Sequence, residues 1–153
     1  MGQFDQIDIN IIRALQADAG QSVAAIGEAV GLSQNACWRR IKRLEEDGIL
    51  TNRVAIFDAE RLGYSLVVFA IIRLQEHRQT STNAFARAVA AIPEVVEFYR
   101  MSGDIDYIAK ILARDIQDYD RLYKKIITLA PVQDVSSSFS MENIKYSTAV
   151  PVG

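Results

Sequence analysis

One cysteine, Cys37, in 153 residues excludes an internal disulfide. One histidine, His77, gives Cys37 no nucleophile–base partner at a useful spacing, and no cluster of His, Cys, Asp and Glu suggests a metal site. His77 lies in the polar segment Gln75 to Gln79 and reads as an exposed loop residue. No glycine-rich phosphate loop is present. The longest apolar run, Leu66 to Ile72, is far short of the ~20 residues of a membrane span. The start, Met1-Gly2-Gln3-Phe4-Asp5, lacks the basic and apolar regions of a signal peptide. These absences predict a cytoplasmic protein without membrane, metal, cofactor or catalytic machinery.

Excess positive charge is lacking too: the formal net charge is −2. Residues 1–60 carry six basic side chains against nine acidic ones, yet four of the six fall within residues 39–43. Screening limits an exposed charge to a reach of about 8–10 Å, so a DNA-binding protein needs cations only where phosphates approach. The clustering therefore matters more than the sum.

Three short helices are readable before residue 50. Asp5 is an N-cap with Asp8 in the capping-box position and Phe4 placed to staple against Ile9; Ile11, Ile12 and Leu15 form the apolar face. Ser22 caps a second helix that turns Val23, Ile26 and Val30 inward and stops at Gly31. Ser33 caps a third running to Asp47, with Gly48 as its C-terminal glycine. The short turn Gly31-Leu32-Ser33 is that of a helix-turn-helix. On the third helix Cys37, Ile41 and Leu44 share one apolar face, which makes Cys37 a packed core thiol. Asn35, Arg39, Lys42 and Arg43 lie opposite, with Gln34 and Trp38 on one flank and Arg40 on the other. Cations for phosphates, beside amide and guanidinium donors for base edges, are what major-groove reading requires. The DNA-contact set is thus Ser33, Gln34, Asn35, Trp38, Arg39, Arg40, Lys42 and Arg43, and the partner is double-stranded DNA. Ile49 to Phe57 reads as a short β-hairpin, or wing.

The expected domains are a winged helix-turn-helix over 1–57, a linker over 58–63 and a second domain over 64–153. In the second, strands are expected over Tyr64 to Leu74, Val95 to Met101, Tyr107 to Ala113 and Val135 to Met141. Helices are expected over Thr82 to Ile92 and from the cap Asp115 to Leu129, each followed by a proline. The fold class is α+β, with the helix-turn-helix followed by a ferredoxin-like βαββαβ sandwich. One sheet face would lack helices, and Val68, Ala70 and Ile72 leave no clearly polar face. The uncovered face reads as a homodimer interface, with Val68 as an interface position.

Several spaced motifs resemble the Lrp/AsnC family of feast/famine regulators. They are Phe4-Asp5, Asp8 and Ile11-Ile12; Val30-Gly31-Leu32-Ser33; Cys37, Arg40-Ile41 and Leu44-Glu45; Gly48-Ile49-Leu50; and Ser102-Gly103-Asp104-Ile105-Asp106-Tyr107. The resemblance implies a RAM-type effector domain, an amino-acid effector, control of amino-acid metabolism genes, and dimers that assemble further, often into an octamer as a tetramer of dimers. It also implies an effector pocket between dimers, lined by the Gly103 turn and the last strand. That places Met101, Gly103, Asp104, Asp106, Ser138 and Ser140 near the ligand, with Ile116 and Phe139 as apolar wall. By residue chemistry alone, Gly103 can adopt a positive φ, and Asp104 or Asp106 can accept from a ligand ammonium. A plain hairpin turn fits the same residues. Cys37-Trp38-Arg39-Arg40 and the tail Ser137 to Glu142 with Ile144-Lys145-Tyr146 look like a cysteine-responsive subgroup. One departure is that Pro131 is followed directly by Val132, where the family usually has Pro-Gly-Val. Siroheme decarboxylases resemble the same family over both domains, so an enzyme is the alternative from another class; they are associated with histidines in the α/β half, where this chain has His77. An architectural DNA-binding protein without an effector is a third reading.

Overall fold

The computed structural model describes residues 4–75 and 79–152, so the reading of His77 falls outside the described residues. Two compact units result, Met1–Ile56 with Lys145–Gly153, and Phe57–Ile144.

The first unit holds α1 (Gln6–Ala17), α2 (Val23–Val30) and α3 (Gln34–Glu46). Each start is capped as the sequence suggests. The Asp5 carboxylate accepts from the Asp8 backbone N–H at 2.8 Å, and the Asp8 carboxylate accepts in return from the Asp5 N–H. Ser22 and Ser33 accept from the backbone N–H groups of Ala25 and Ala36. Gly31 adopts φ +73° between α2 and α3, a left-handed conformation that any side chain would strain. Ile11, Leu15, Ile26, Cys37, Ile41 and Leu44 form the core, against which Phe4, Ile7 and Leu50 pack.

One expectation for this unit needs correction. No hairpin forms over Ile49–Phe57; residues 51–58 have no regular structure and are exposed. After Gly48 the backbone N–H groups of Ile49 and Leu50 both turn back to the Leu44 carbonyl, and none of the strand pairings among the described residues involves residues 51–58. The C-terminal residues Lys145–Gly153 group with the first unit through hydrogen bonds to α1. The Gln16 side-chain amide donates to the Val150 carbonyl at 3.2 Å and accepts from the Val150 N–H at 2.5 Å. Arg13 adds a hydrogen bond to the Val152 carbonyl at 3.1 Å.

The second unit holds β1 (Leu66–Leu74), α4 (Gln79–Ala90), β2 (Val95–Arg100), β3 (Tyr107–Ala113), α5 (Ile116–Ile127) and β4 (Val132–Phe139). The sheet order is β2-β3-β1-β4 and every pairing is antiparallel, the ferredoxin-like arrangement expected. β4 starts three residues earlier than its sequence pattern suggests. With no glycine after Pro131, pairing begins at once, Val132 opposite Leu74 beside a β-bulge.

Side-chain alternation divides the sheet. Val68, Ala70, Ile72 and Leu74 pack with Phe85 and Val89 of α4 and with Tyr119, Leu122 and Ile126 of α5. Val67, Phe69 and Ile71 point the other way, with Leu112, Lys110 and Ile108 opposite them on β3 and Ser138 and Ser136 on β4. Phe69 is 40% exposed, whereas Val68 is fully buried. Val68 is therefore a core residue and not a position on the uncovered face, because period-2 alternation hands that face to its odd-numbered neighbours. A Val68→Asp substitution should cost about 3–5 kcal/mol in urea unfolding, since a carboxylate enters an apolar core without a partner. Parent-like stability of that variant overturns the assignment of faces.

Candidate functional site

The third helix presents its polar residues much as its wheel suggests, but its cations are not equally free. Gln34, Asn35, Trp38, Arg39, Lys42 and Arg43 are exposed, while Cys37, Ile41 and Leu44 are buried beneath them. Arg39 has no ion-pair or hydrogen-bond partner among the described residues. The Ser33 hydroxyl is engaged in capping.

Arg40 and Arg43 are committed to the fold. Arg40 donates to Asp5 Oδ2 at 2.7 Å and to Asp8 Oδ1 at 2.8 Å, and Arg43 donates to Asp8 Oδ2 at 2.6 Å. Asp8 is only 1% exposed, so this is a buried carboxylate of α1 held between two guanidinium groups of α3. Such charge-assisted pairs are short and strong, and a buried carboxylate needs them. The Arg40 guanidinium also holds the Asp5 carboxyl below its ordinary value. Both arginines thus have a structural role that the helical wheel did not disclose. Arg43, half-exposed, retains a free edge toward solvent.

Past the helix, Glu45 accepts from Lys42 Nζ at 3.0 Å and from Arg53 Nη2 at 2.9 Å. Arg53 stands beside the candidate DNA face and was missed by sequence reasoning. Its signal was a lone cation in a segment read as a hairpin. The C-terminal contacts to Arg13 and Gln16 had no sequence signal at all.

In the second unit, Gly103 takes φ +104° in the turn between β2 and β3, with open space where a Cβ would stand. Asp104 is exposed and has no partner among the described residues. Asp106 is built into the turn: its carboxylate accepts from the Leu74 N–H at 2.8 Å, its N–H donates to the Ile72 carbonyl, and its carbonyl accepts from Met101. Asp106 therefore closes the end of β1, which limits it as a pure ligand group.

The remaining expected effector residues lie elsewhere on the sheet. Ser140 donates its N–H to the Val67 carbonyl, Phe139 stands opposite Val68, and Ile116 opens α5 just after β3 ends opposite Leu66. Asp106 bonds at Ile72 and Ser140 at Val67, five residues apart along β1, about 17 Å at the rise of a strand. One chain therefore does not bring Met101, Gly103, Asp104 and Asp106 together with Ile116, Ser138, Phe139 and Ser140. Ser138 and Phe139 also face opposite sides. Phe139 packs edge-on against Tyr119 at 5.4 Å, while Ser138 shares the open face with Phe69.

Comparison with known proteins gives these two units a class. Residues 4–51 match the family model for winged helix-turn-helix DNA-binding domains, and residues 67–150 match that of the Lrp/AsnC ligand binding domain. A DNA-reading unit joined to a ligand-binding unit defines a transcription regulator. The glutamate uptake regulatory protein of Zymomonas mobilis is 47% identical over 98% of this chain and 92% of its own. The DNA-binding transcriptional activator DecR of Escherichia coli is 42% identical, over 97% of this chain and 99% of its own. Among solved structures, an AsnC family transcriptional regulator from Agrobacterium tumefaciens superposes with a TM-score of 0.93 at 44% identity, covering 97% of both chains. A Neisseria meningitidis regulator solved as an L-methionine complex superposes at 0.92 with 28% identity, again over 97% of both. The chain belongs to the Lrp/AsnC family of transcription regulators.

Replacing Asp8 by Asn should destabilise the first unit by roughly 1–3 kcal/mol, less than a fully buried pair because both arginines reach solvent. Chemical denaturation reads this directly. An unchanged midpoint shows that the clamp is not structural.

Proposed function

We propose that the protein binds duplex DNA through α3 and answers to an amino-acid effector held between copies of the chain. The observation that carries the DNA reading is the exposed row Gln34, Asn35 and Arg39 at the start of α3, beside Lys42, above a fully apolar buried face. Amide and guanidinium groups there can reach base edges, and Arg39 is unencumbered. Arg39→Ala should weaken binding to a specific site by about 1–3 kcal/mol, while the fold is unaffected because the side chain has no polar partner among the described residues. A mobility-shift titration that finds equal affinity removes α3 from the recognition role.

The effector reading rests on the ligand-binding family match and on the open sheet face. Val67, Phe69, Ile71, Ile108 and Leu112 form an apolar surface broken by the Lys110–Glu97 pair at 2.9 Å, to which Tyr99 adds a hydrogen bond. A second copy of the chain is the natural cover, and further assembly into an octamer is part of the same proposal. Assembly is also what would bring the Gly103 turn of one chain to the Ser138–Ser140 end of another. Cysteine is the first effector to try, on the sequence resemblance; the L-methionine bound to the Neisseria regulator supports the amino-acid class. Regulation here is by binding, with no chemical step assigned to any residue.

Asp104, exposed and without a partner among the described residues, is the cleaner probe of the turn than Asp106. Calorimetric titration with the twenty amino acids should find a binder whose heat is lost in Asp104→Ala, and light scattering should show the same ligand shifting the oligomer distribution. If no amino acid binds the parent, or the variant binds as tightly, the turn is only a turn.

A further inference from the structure

The cations around α3 divide into two kinds. Arg40 and Arg43 are paired with the buried carboxylate of Asp8, so freeing both would leave a buried charge unpaired. Lys42 and Arg53 are paired with Glu45, whose side chain is 34% exposed, and they are themselves 49% and 39% exposed. Exposed surface pairs of this sort contribute little net stability, so either cation can leave Glu45 for a competing anion at little cost. Both Glu45 oxygens are occupied, one by each cation. Their hydrogen bond and charge, Lys42 first, hold the Glu45 carboxyl below its ordinary value. Glu45, Leu50, Thr51, Asn52 and Arg53 line an open concavity that follows α3 directly in the chain.

We infer that Glu45 is a built-in counter-ion which occupies Lys42 and Arg53 in the free protein and surrenders them to DNA phosphates on binding. Arg53 thereby joins the DNA-contact set, and Glu45 sets how strongly the unit grips any duplex regardless of sequence. The logic is electrostatic. Phosphate contacts supply nearly all sequence-independent affinity, and a carboxylate left among them both competes for the cations and repels the backbone. A regulator that must leave wrong sites quickly gains from this, because the penalty falls on every duplex while base-edge contacts act only on the right one. This inference rests on the assignment of α3 to DNA.

The test is Glu45→Gln, which keeps the shape and one acceptor oxygen, so the loop over 50–53 retains a hydrogen-bond anchor. Binding to a random-sequence duplex at low salt should tighten roughly three- to tenfold, the effect of one unit charge several ångströms from a phosphate in a partly aqueous medium. The slope of log affinity against log salt should steepen by at most about 0.9, because the variant brings no carboxylate among the phosphates to offset one neutralising cation. Adding Lys42→Ala or Arg53→Ala to Glu45→Gln should erase most of that gain. A Glu45→Gln protein that binds DNA equally or more weakly overturns the inference, since Glu45 is then a brace for the loop. So does a gain that survives both added substitutions. Failure of the unsubstituted protein to bind any duplex overturns the α3 assignment itself, and the inference with it.

Discussion

The carboxylate of Asp8 organises the first unit. It closes the capping box of α1 by accepting from the Asp5 N–H, and the same two oxygens receive Arg40 and Arg43 from α3. A charge that is 1% exposed survives in a small domain only if its hydrogen-bonding capacity is filled, and here the filling groups come from α3. Helix start, helix-to-helix packing and the presentation of the polar face of α3 thus share one anchor. Gly27 works to the same end from α2: a Cβ there would meet the Leu32 carbonyl at 3.0 Å and Cys37 Cβ at 3.3 Å, so a side chain would have to push the start of α3 away by a few tenths of an ångström.

How legible this was depends on the range of the interaction. The caps Asp5, Ser22, Ser33 and Asp115, the turn glycines and the strand Tyr107–Ala113 are local, and each is found where its residues suggest. The pairing of Arg40 and Arg43 with a residue more than thirty positions away is not local, and a helical wheel sees only an exposed basic face. Alternation revealed two faces in β1 but could not say which one the helices cover, because both are apolar. The tail defeats sequence reading more completely. Gln16 engages backbone groups at Val150, and backbone groups have no side-chain signature.

Antiparallel pairing explains why the expected effector residues separate. β4 begins opposite Leu74 and ends opposite Val68, so its serine-rich end lies at the far end of β1 from the Gly103 turn. A sequence motif cannot convey that distance, since strand direction depends on topology. If the proposed pocket draws on both groups, it exists only in an assembly, and occupancy and assembly become one equilibrium. A ligand shifts such an equilibrium only by its differential affinity for the states. A pocket made by association has that property without any conformational switch inside a single chain.

Charge shows how an acidic protein can still address DNA. Near α3, Asp5, Asp8 and Glu45 offset Arg40, Arg43, Lys42 and Arg53, leaving Arg39 as the cation without a partner among the described residues. The carboxyl groups of Asp5 and Glu45 are both held below their ordinary values, chiefly by hydrogen bonds from Arg40 and Lys42 respectively. A depressed carboxyl stays charged in the folded protein above its unfolded value, and its contribution fades only as pH falls through the folded one. That window lies below the usual carboxylate range, well clear of neutrality. From mildly acidic to neutral pH these pairs are therefore constant, and salt rather than protons is the variable to which they respond. Ionic strength weakens the exposed Glu45 pairs and the phosphate contacts alike, while the buried Asp8 clamp is screened far less. Salt thus acts on DNA affinity before it acts on the fold.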